Sequence, residues 1–287
     1  MIEYIIIALI QGLFEWLPIS SSGQVMIVST NFFSISPKDA FSLAIWLHLG
    51  TTMAVLLKFR GDYIRIIKTV IQKRPDETES DIDKESVIKK RNWIIYGTIG
   101  TGITALPLYF IFKIILLDAF TATQGDLITL FISGLLILTG IIIIKTRKIF
   151  GNQKISNISK KKVRKDSFLS GLVQGSSILP GISRSGVTVS TILLEKYEQE
   201  SALRLSFLMS VPVVIASIIV DILFGEGSIF GSLDLSTIII TTLISFLIGY
   251  MTIEILLRIA NKINFGYFCI SYGIIAYLIT IPFILFS

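Results

Sequence analysis

The chain has 287 residues, of which 52% are hydrophobic and only 16% are charged, and its mean hydropathy is +0.77. Soluble domains carry about 25% charged residues, so this composition excludes an ordinary soluble fold and favours a membrane-embedded helical bundle. A single cysteine, Cys269, excludes a disulfide framework, and a single histidine, His48, excludes a histidine cluster for a transition metal. The net charge of +6 does not indicate nucleic-acid binding, because the basic residues lie in the gaps between apolar runs.

The first half of the chain, residues 1–145, begins with an apolar stretch at about 2–30 that Pro18 interrupts. Its first residues lack the basic segment and cleavage site of a secretory signal, so we expect it to belong to the mature fold. Because proline breaks a helix, the sequence predicts a helical hairpin here. Three apolar stretches of membrane-spanning length follow, and a charged loop is expected between the first two, at 58–92. The spans are predicted near 40–59, 93–112 and 127–145.

The second half, residues 146–287, repeats this order. A basic linker is expected at 146–166, and a second interrupted apolar stretch, broken at Pro180, occupies about 167–194. Three more spans are predicted near 205–224, 236–257 and 264–286. The sequence therefore predicts an all-α polytopic membrane protein with six transmembrane helices and two helical hairpins.

The placement of basic residues predicts the orientation. All of them except Lys38, Lys113 and Arg184 lie at 58–92, at 145–166, at 196–204 or at 258–262. The positive-inside rule puts these four segments in the cytoplasm, and the acidic turns near 113–126 and 225–235, together with both termini, outside. Each hairpin must then enter and leave the membrane on one side, the first from outside and the second from the cytoplasm.

A short internal repeat supports two inverted halves. Residues 17–23 read LPISSSG and residues 179–186 read LPGISRSG, and a Gln-Gly pair precedes each of them. Because three spans follow each hairpin, the second half is expected to be upside down relative to the first. Inverted repeats of this kind place their binding sites near the bilayer midplane, where the broken helices meet.

Two charged residues in the interrupted stretches carry the chemistry. A guanidinium at the bilayer centre costs about 2.5–3.5 kcal/mol on insertion scales, so Arg184 needs a partner. It can be an anion-binding arginine, or it can form a structural ion pair with Glu15 or extend to the membrane surface. Glu15 suits a general base, a proton carrier or a cation ligand, with the ion pair as its structural alternative.

Several polar residues remain ambiguous from sequence. Serines 20–22, 183 and 185 fall at the helix breaks and suit an anion site, but serines in membrane helices also bond backbone groups. His48, in the first span, is either a hydrogen-bonded packing residue or a catalyst. Asp221 and Glu254 lie near the ends of predicted spans, and we expect both to reach the membrane interface. The basic run at 160–165 is expected to anchor its linker to anionic lipid.

Residues 11–24, QGLFEWLPISSSGQ, resemble the first signature of the undecaprenyl-diphosphate phosphatase (bacitracin-resistance) family, roughly E-G-x-T-E-[FW]-L-P-[VI]-S-S-[TS]-G-H. Residues 179–186 are similar to its second signature, P-G-x-S-R-S-G. The resemblance implies a membrane hydrolase that converts a polyprenyl diphosphate to the monophosphate outside the cell, recycling the lipid carrier of cell-wall or glycan synthesis. It also implies a divalent cation, Mg or Ca.

Carried over by position, Ser21 is the nucleophile or the hydroxyl that orients the attacking water. Glu15 is the base or the carboxylate that assists the metal, and Arg184 holds the phosphate. Further residues of the two signatures are expected to bind substrate: Ser20, Ser22, Gly23, Ser183, Ser185, Gln11 and Gln24.

Two positions depart from the first signature, because Gln11 stands where the family usually has Glu and Gln24 where it usually has His. Glutamine does not titrate, so the proton relay is expected to be reduced. The alternative function is a transporter or flippase for a polyprenyl phosphate or another anionic lipid, which the inverted repeats also suit.

Overall fold

The computed structural model describes residues 1–71, 81–116, 125–146, 151–224, 233–259 and 265–286. Within these ranges the chain is helical apart from turns and one isolated parallel bridge between Gln153 and Tyr197. The prediction of an all-α fold is therefore confirmed.

The described residues of the first half form six α-helices, of which the first two form a hairpin. The fifth continues as a π-helix at Ile111–Leu116. The α-helices are α1 (Ile2–Phe14), α2 (Ser21–Phe33), α3 (Pro37–Lys58), α4 (Arg60–Ile71), α5 (Asp81–Phe110) and α6 (Gly125–Thr146).

In the second half, the part of the chain that the structure describes forms five α-helices and two 3₁₀ turns, Ile155–Asn157 and Ser176–Ile178. Its first two helices form the second hairpin. The α-helices are α7 (Lys160–Gly175), α8 (Arg184–Leu194), α9 (Gln199–Phe224), α10 (Leu235–Ile259) and α11 (Phe265–Phe286).

Within the described residues, five helices are long and apolar enough to cross a membrane: α3, α5, α6, α9 and α10. They coincide with five of the six predicted spans, and α11 occupies the sixth predicted stretch. The second hairpin starts earlier than predicted, because α7 begins at Lys160 inside the expected linker 146–166. The hydroxyl of Ser159 caps this start by accepting a hydrogen bond from the backbone N–H of Lys162 at 3.2 Å.

The prediction that 58–92 is a charged loop is wrong for most of the segment. It contains all of α4 and the first turns of α5, so the predicted span at 93–112 is the second part of a longer helix. Although α4 carries several charged residues, it is amphipathic, and Asp62, Ile66 and Thr69 are buried on one face. Residues 72–80 of this segment lie outside the described residues, as do 117–124, 147–150 and 225–232 of the other predicted connections.

The packing of the helices crosses between the two halves. The first arm of each hairpin packs on a long helix of the other half, α1 on α10 and α7 on α5. Likewise α3 packs on α10, and α9 packs on α5. Small residues permit the closest of these contacts, since a methyl group on Gly100 or Gly171 would meet backbone atoms of the facing helix.

Asp221 does not reach the membrane interface, contrary to the prediction. Its Oδ1 lies 2.5 Å from Nζ of Lys113, and these side chains are 7% and 2% exposed. The Lys113 ammonium also donates to the Ser42 hydroxyl at 2.8 Å, and the Tyr109 hydroxyl donates to Asp221 at 2.8 Å. Pairing and hydrogen bonding allow both charges to stay inside the helical bundle.

Candidate active site

The turns of the two hairpins meet inside the bundle. In the first hairpin α1 ends at Phe14, and Ser20, with a φ of 58°, caps the start of α2. In the second, the Ser183 hydroxyl caps α8 by accepting from the backbone N–H of Gly186 at 3.2 Å. The backbone N–H of Gly181 donates to the Ser20 hydroxyl at 2.9 Å and so joins the two turns.

Glycine is required where the turns touch. A methyl group on Gly23 would lie 3.0 Å from the backbone nitrogen of Gly181 and 3.0 Å from a methyl carbon of Ile132. Gly181 has a φ of 104°, which side chains disfavour, and a methyl group there would lie 2.6 Å from the carbonyl oxygen of Ile132. Gly23, which was expected to bind substrate, thus lets the turns approach each other.

Glu15 is the centre of the polar contacts, and its side chain is only 2% exposed. Its Oε2 accepts hydrogen bonds from Nε2 of Gln11 at 2.7 Å and from the Ser21 hydroxyl at 2.6 Å. Its Oε1 accepts from Nη2 of Arg184. The structure therefore brings together Glu15, Ser21 and Arg184, the three residues expected to be catalytic.

Arg184 is the first residue of α8, and its side chain is 15% exposed. The ion pair with Glu15 uses Nη2, whereas Nη1 is buried and has no hydrogen-bond partner among the described residues. A buried guanidinium nitrogen without a partner is costly, and it suits a ligand that brings an oxygen acceptor. The ion pair and anion binding are therefore compatible functions of one side chain.

The serines of the two turns differ in their contacts. Ser20 and Ser183 are helix caps, so their hydroxyl oxygens accept backbone N–H groups as the structural alternative predicted. Ser22 lines the cavity described below. Ser185 lies 3.2 Å from the hydroxyl of Ser183 and donates to the carbonyl oxygen of Leu17 at 3.4 Å.

The two glutamines that depart from the family signature differ in position. Gln11 contacts Glu15 directly, and its Oε1 is buried without a partner among the described residues. Gln24 instead donates from Nε2 to the carbonyl oxygen of Ile19, at 3.4 Å.

His48 is a further residue whose role, packing or catalysis, the sequence left open. Its Nε2 lies 3.2 Å from Oε2 of Glu15, and its Nδ1 lies 2.5 Å from the carbonyl oxygen of Ala44. The sequence signal was the presence of the chain's one histidine inside an apolar span. Its meeting with Glu15 depends on how α3 packs against the first hairpin.

A cavity of about 250 Å³ opens from these residues. Its polar end is formed by Glu15, Ser20, Ser21, Ser22, His48 and Arg184. Its walls are largely apolar and come from α3, α5 and α9, including Phe41, Leu106 and Val214. The N-termini of α2 and α8 both begin at the polar end, and their backbone N–H groups and dipoles favour an anion there.

The donor set does not form a cation site by itself. Among the described residues no three His, Cys, Asp or Glu side chains come together in a possible metal site. Both oxygens of Glu15 are already engaged, Oε1 by Arg184 and Oε2 by Gln11, Ser21 and His48. This geometry does not fit the expected role of Glu15 as a metal ligand.

Comparison with known proteins agrees with the motifs. The family model described as "Bacitracin resistance protein BacA" matches residues 4–278. A protein of Methanothrix thermoacetophila is 35% identical over 280 residues, which cover 97% of this chain and 96% of that protein. A protein of Methanococcoides burtonii is 36% identical over 276 residues, which cover 96% and 97%. A protein of Haloarcula marismortui is 33% identical over 278 residues, which cover 94% and 93%.

Each of these three relatives bears the name undecaprenyl-diphosphatase. The match to the family model extends over nearly the whole chain, including both hairpins and all the helices that line the cavity. The chain therefore belongs to the bacitracin resistance protein BacA family.

Proposed function

We propose that this protein is a membrane phosphatase that hydrolyses undecaprenyl diphosphate to undecaprenyl phosphate and inorganic phosphate. The observation that carries the proposal is the Arg184 guanidinium: its Nη2 donates to Glu15, which accepts from the Ser21 hydroxyl, and its Nη1 is buried without a hydrogen-bond partner among the described residues. The names of the relatives support the same substrate. The product would return to use as the lipid carrier of cell-wall or glycan synthesis.

The cavity separates the two parts of such a substrate. The diphosphate would bind at the polar end, where Nη1 of Arg184 donates to a phosphate oxygen and the N-termini of α2 and α8 supply further N–H groups. The first isoprene units would lie on the apolar walls. Phosphoryl transfer depends mainly on positioning and on stabilising charge at the equatorial oxygens, and this end of the cavity supplies both.

Ser21 and Glu15 would act on the attacking oxygen. The Ser21 hydroxyl donates to Glu15 over 2.6 Å, so Glu15 is placed to take its proton. Ser21 would then attack the terminal phosphorus, or it would orient a water that does so. Gln11 donates to the same oxygen, Oε2, and would help to hold it toward Ser21.

The membrane arrangement that we propose has two inverted halves, 1–145 and 146–287, each with one re-entrant hairpin and three spans. The packing of α1 on α10 and of α7 on α5 supports this arrangement. Helices α1 and α7 are the first arms of the two hairpins, and α5 and α10 are the second spans of the two halves, so each contact is the counterpart of the other. The termini lie outside and the basic segments in the cytoplasm.

This orientation places the cavity in the outer half of the bilayer. The residues that line it come from the first part of α3 and from the second parts of α5 and α9. All three parts lie toward the helix ends that the basic residues place outside. The protein would accordingly act on substrate in the outer leaflet.

A divalent cation, Mg or Ca, is proposed to arrive with the substrate. The diphosphate oxygens would be its main ligands, because Glu15, the carboxylate among the described residues of the cavity lining, is already engaged at both oxygens. It would neutralise part of the diphosphate charge.

Transport of a polyprenyl phosphate or another anionic lipid is the second candidate. The reciprocal packing of the broken helices favours it, since many transporters are built from such inverted halves. Failure of purified wild-type protein to release phosphate across a range of pH and metal would favour transport.

The test of the phosphatase is phosphate release from undecaprenyl diphosphate by purified full-length protein in detergent. We expect wild type to release phosphate and Arg184→Ala and Ser21→Ala to lose about 100-fold or more of the rate. Ser217→Ala is the matched control, because Ser217 lines the cavity but bonds the carbonyl oxygen of Val214 in its own helix. A Ser21 or Arg184 variant as active as this control would contradict the proposed site.

A further inference from the structure

The contacts of His48 determine which of its ring nitrogens faces the site. Nδ1 lies 2.5 Å from the carbonyl oxygen of Ala44, one turn earlier in α3. A carbonyl oxygen can only accept, so Nδ1 carries a hydrogen. Nε2 is therefore the nitrogen that faces Glu15. It carries a hydrogen in the imidazolium form of the ring and none in the neutral form.

The contact between Nε2 and Oε2 of Glu15, at 3.2 Å, is a hydrogen bond when one proton lies between the two atoms. Without one, two lone pairs would face each other. With one, the contact is either an imidazolium that donates to a carboxylate or a carboxylic acid that donates to an imidazole. The pair holds one shared proton in both forms.

The surroundings of the pair are simple. Among the described residues, the charged group that faces it from the second hairpin is Arg184, on Oε1 of Glu15. Tyr109 is the titratable residue that α5 contributes to the cavity lining, and α9 contributes Ser217 as a polar group. Among the described cavity-lining residues, His48 is thus the side chain next to Glu15 whose ring nitrogen can both accept and release a proton.

We infer that His48 and Glu15 form a proton-carrying pair for the reaction, an inference that rests on the proposed function. As the bond from the terminal phosphorus to the bridging oxygen breaks, the bridging oxygen keeps the electron pair and takes the proton of the pair. The attacking oxygen forms the new bond to phosphorus and returns a proton to Glu15, directly or through the Ser21 hydroxyl 2.6 Å away.

The protons balance over one turnover. The diphosphate trianion and one water give the monoanion of undecaprenyl phosphate and a hydrogen phosphate dianion. The pair gives one proton and regains one, so it ends in its starting state. His48 acts through Glu15 and so serves as a positioning and proton-storing residue.

The pairing of His48 with Glu15 also explains how the site can lack an imidazole at position 24. An amide at position 24 cannot carry a proton, and its Nε2 bonds the carbonyl oxygen of Ile19. The imidazole that the first signature supplies from the first hairpin is here supplied by α3, at His48.

His48→Gln tests the inference in the full-length protein with undecaprenyl diphosphate as substrate. Glutamine can still donate a hydrogen bond to Glu15 but cannot titrate. We expect kcat to fall about 100-fold or more while KM changes less than about threefold, since the lost function is proton transfer rather than binding. The pH profile of kcat should lose one of its limbs. Trp46→Phe is the control, because it removes a hydrogen bond of α3 to Thr242 without touching Glu15.

The outcomes separate the inference from the proposed function. Wild-type protein without phosphate release would contradict the proposed function itself. An active wild type with a His48→Gln variant of similar kcat and an unchanged pH profile would overturn the proton-carrying pair. If His48→Gln unfolds at a lower temperature than Trp46→Phe, His48→Asn takes its place, because asparagine can still donate to Ala44. The same loss of kcat and of the pH limb is expected from it.

Discussion

At the scale of single residues, Arg184 combines two functions that a simpler cation could not. One nitrogen binds Glu15, and another is left for a ligand. A planar guanidinium holds its donors in a fixed fork, whereas an ammonium is a compact charge on a flexible chain. The proposed site would use this fork by giving one nitrogen to Glu15 and another to a phosphate oxygen.

Arg184→Lys should separate charge from geometry. A lysine keeps the positive charge but cannot hold Glu15 and a phosphate oxygen in the same fork, so we expect kcat/KM to fall about 10- to 100-fold. Phosphate release over a range of substrate concentrations measures the change. A lysine variant with the wild-type kcat/KM would mean that the charge alone suffices.

The sequence predicted the members of the site better than their contacts. Glu15 and Arg184 could be found because each is a charged residue in an apolar, proline-broken stretch, and Ser21 because the resemblance to the family signature singled it out among the serines. The contact of His48 with Glu15 could not be found, since it joins α3 to the turn after α1, and neither segment specifies the distance to the other. Asp221 was misplaced for the same reason, because its partner Lys113 is far away in the chain.

At the scale of helices, the buried cluster around Lys113 joins α3, the π-helix after α5, and α9. A π-turn often marks a functional position, and here it places Lys113 against Asp221. Tyr109, which donates to Asp221, also lines the cavity. The cluster therefore fixes the wall of the cavity through the Tyr109 hydroxyl.

We expect Lys113→Met and Asp221→Leu to destabilise the protein strongly when made singly, by about 3–5 kcal/mol each, because each leaves an unpaired buried charge. The double variant should be more stable than either single variant, since it removes both charges. Unfolding titrations in mixed micelles measure the three free energies of unfolding. Strictly additive effects would contradict a coupled pair.

Asp62, in α4, joins two other helices, α5 and α9, on the basic side of the protein. Its carboxylate accepts from Nζ of Lys90 at 2.8 Å and from Nε and Nη2 of Arg204 at 2.8 and 2.6 Å. Burial alone would raise the pKa of Asp62, but Lys90 and Arg204 outweigh it and hold the pKa below the ordinary value of 3.8. The stabilisation is thus fully present above that value and is lost as the pH falls through the lowered pKa.

Asp62→Asn should lower the free energy of unfolding at neutral pH by about 2 kcal/mol, as expected for lost hydrogen bonds to charged groups. The difference from wild type should shrink below about pH 4, where the wild-type carboxylate becomes protonated. Thermal unfolding in detergent at several pH values measures it. Glu254→Gln is the control, because Glu254 is 53% exposed and its pair with Lys58 should contribute less than about 1 kcal/mol. A pH-independent difference would contradict the ionic role of Asp62.

The length of the apolar stretches predicted the boundaries of the membrane-spanning helices. The boundaries of helical segments that carry many charges could not be predicted in this way. The spans near 127–145 and 236–257 lie within α6 and α10 because only helices of that length cross a membrane. α4 was missed because its charges suggested a loop, although Ile64, Ile67 and Ile71 repeat at helical spacing and are exposed. The start of α5 at Asp81 was missed because its first turns are charged.

At the scale of the whole molecule, the packing of the halves and the distribution of charge lead to the same site. The two hairpin turns meet only because each half presents its hairpin to the long helices of the other. The cavity extends from that meeting point toward the ends of α3, α5 and α9 that carry few basic residues. Orientation in the membrane therefore decides which leaflet supplies the substrate.

Two single cysteines test that orientation in a Cys269→Ser background. Ser34, between α2 and α3, is exposed and is expected outside, whereas Asn157, in the basic linker before α7, is exposed and is expected in the cytoplasm. A maleimide that does not cross membranes should label Ser34→Cys in intact cells and Asn157→Cys only after the cells are disrupted. The reverse pattern would put the cavity in the cytoplasmic half, and the substrate would then have to come from the inner leaflet. Because the expected result rests on the basic residues alone, it tests the direction of access independently of any measurement of phosphate release.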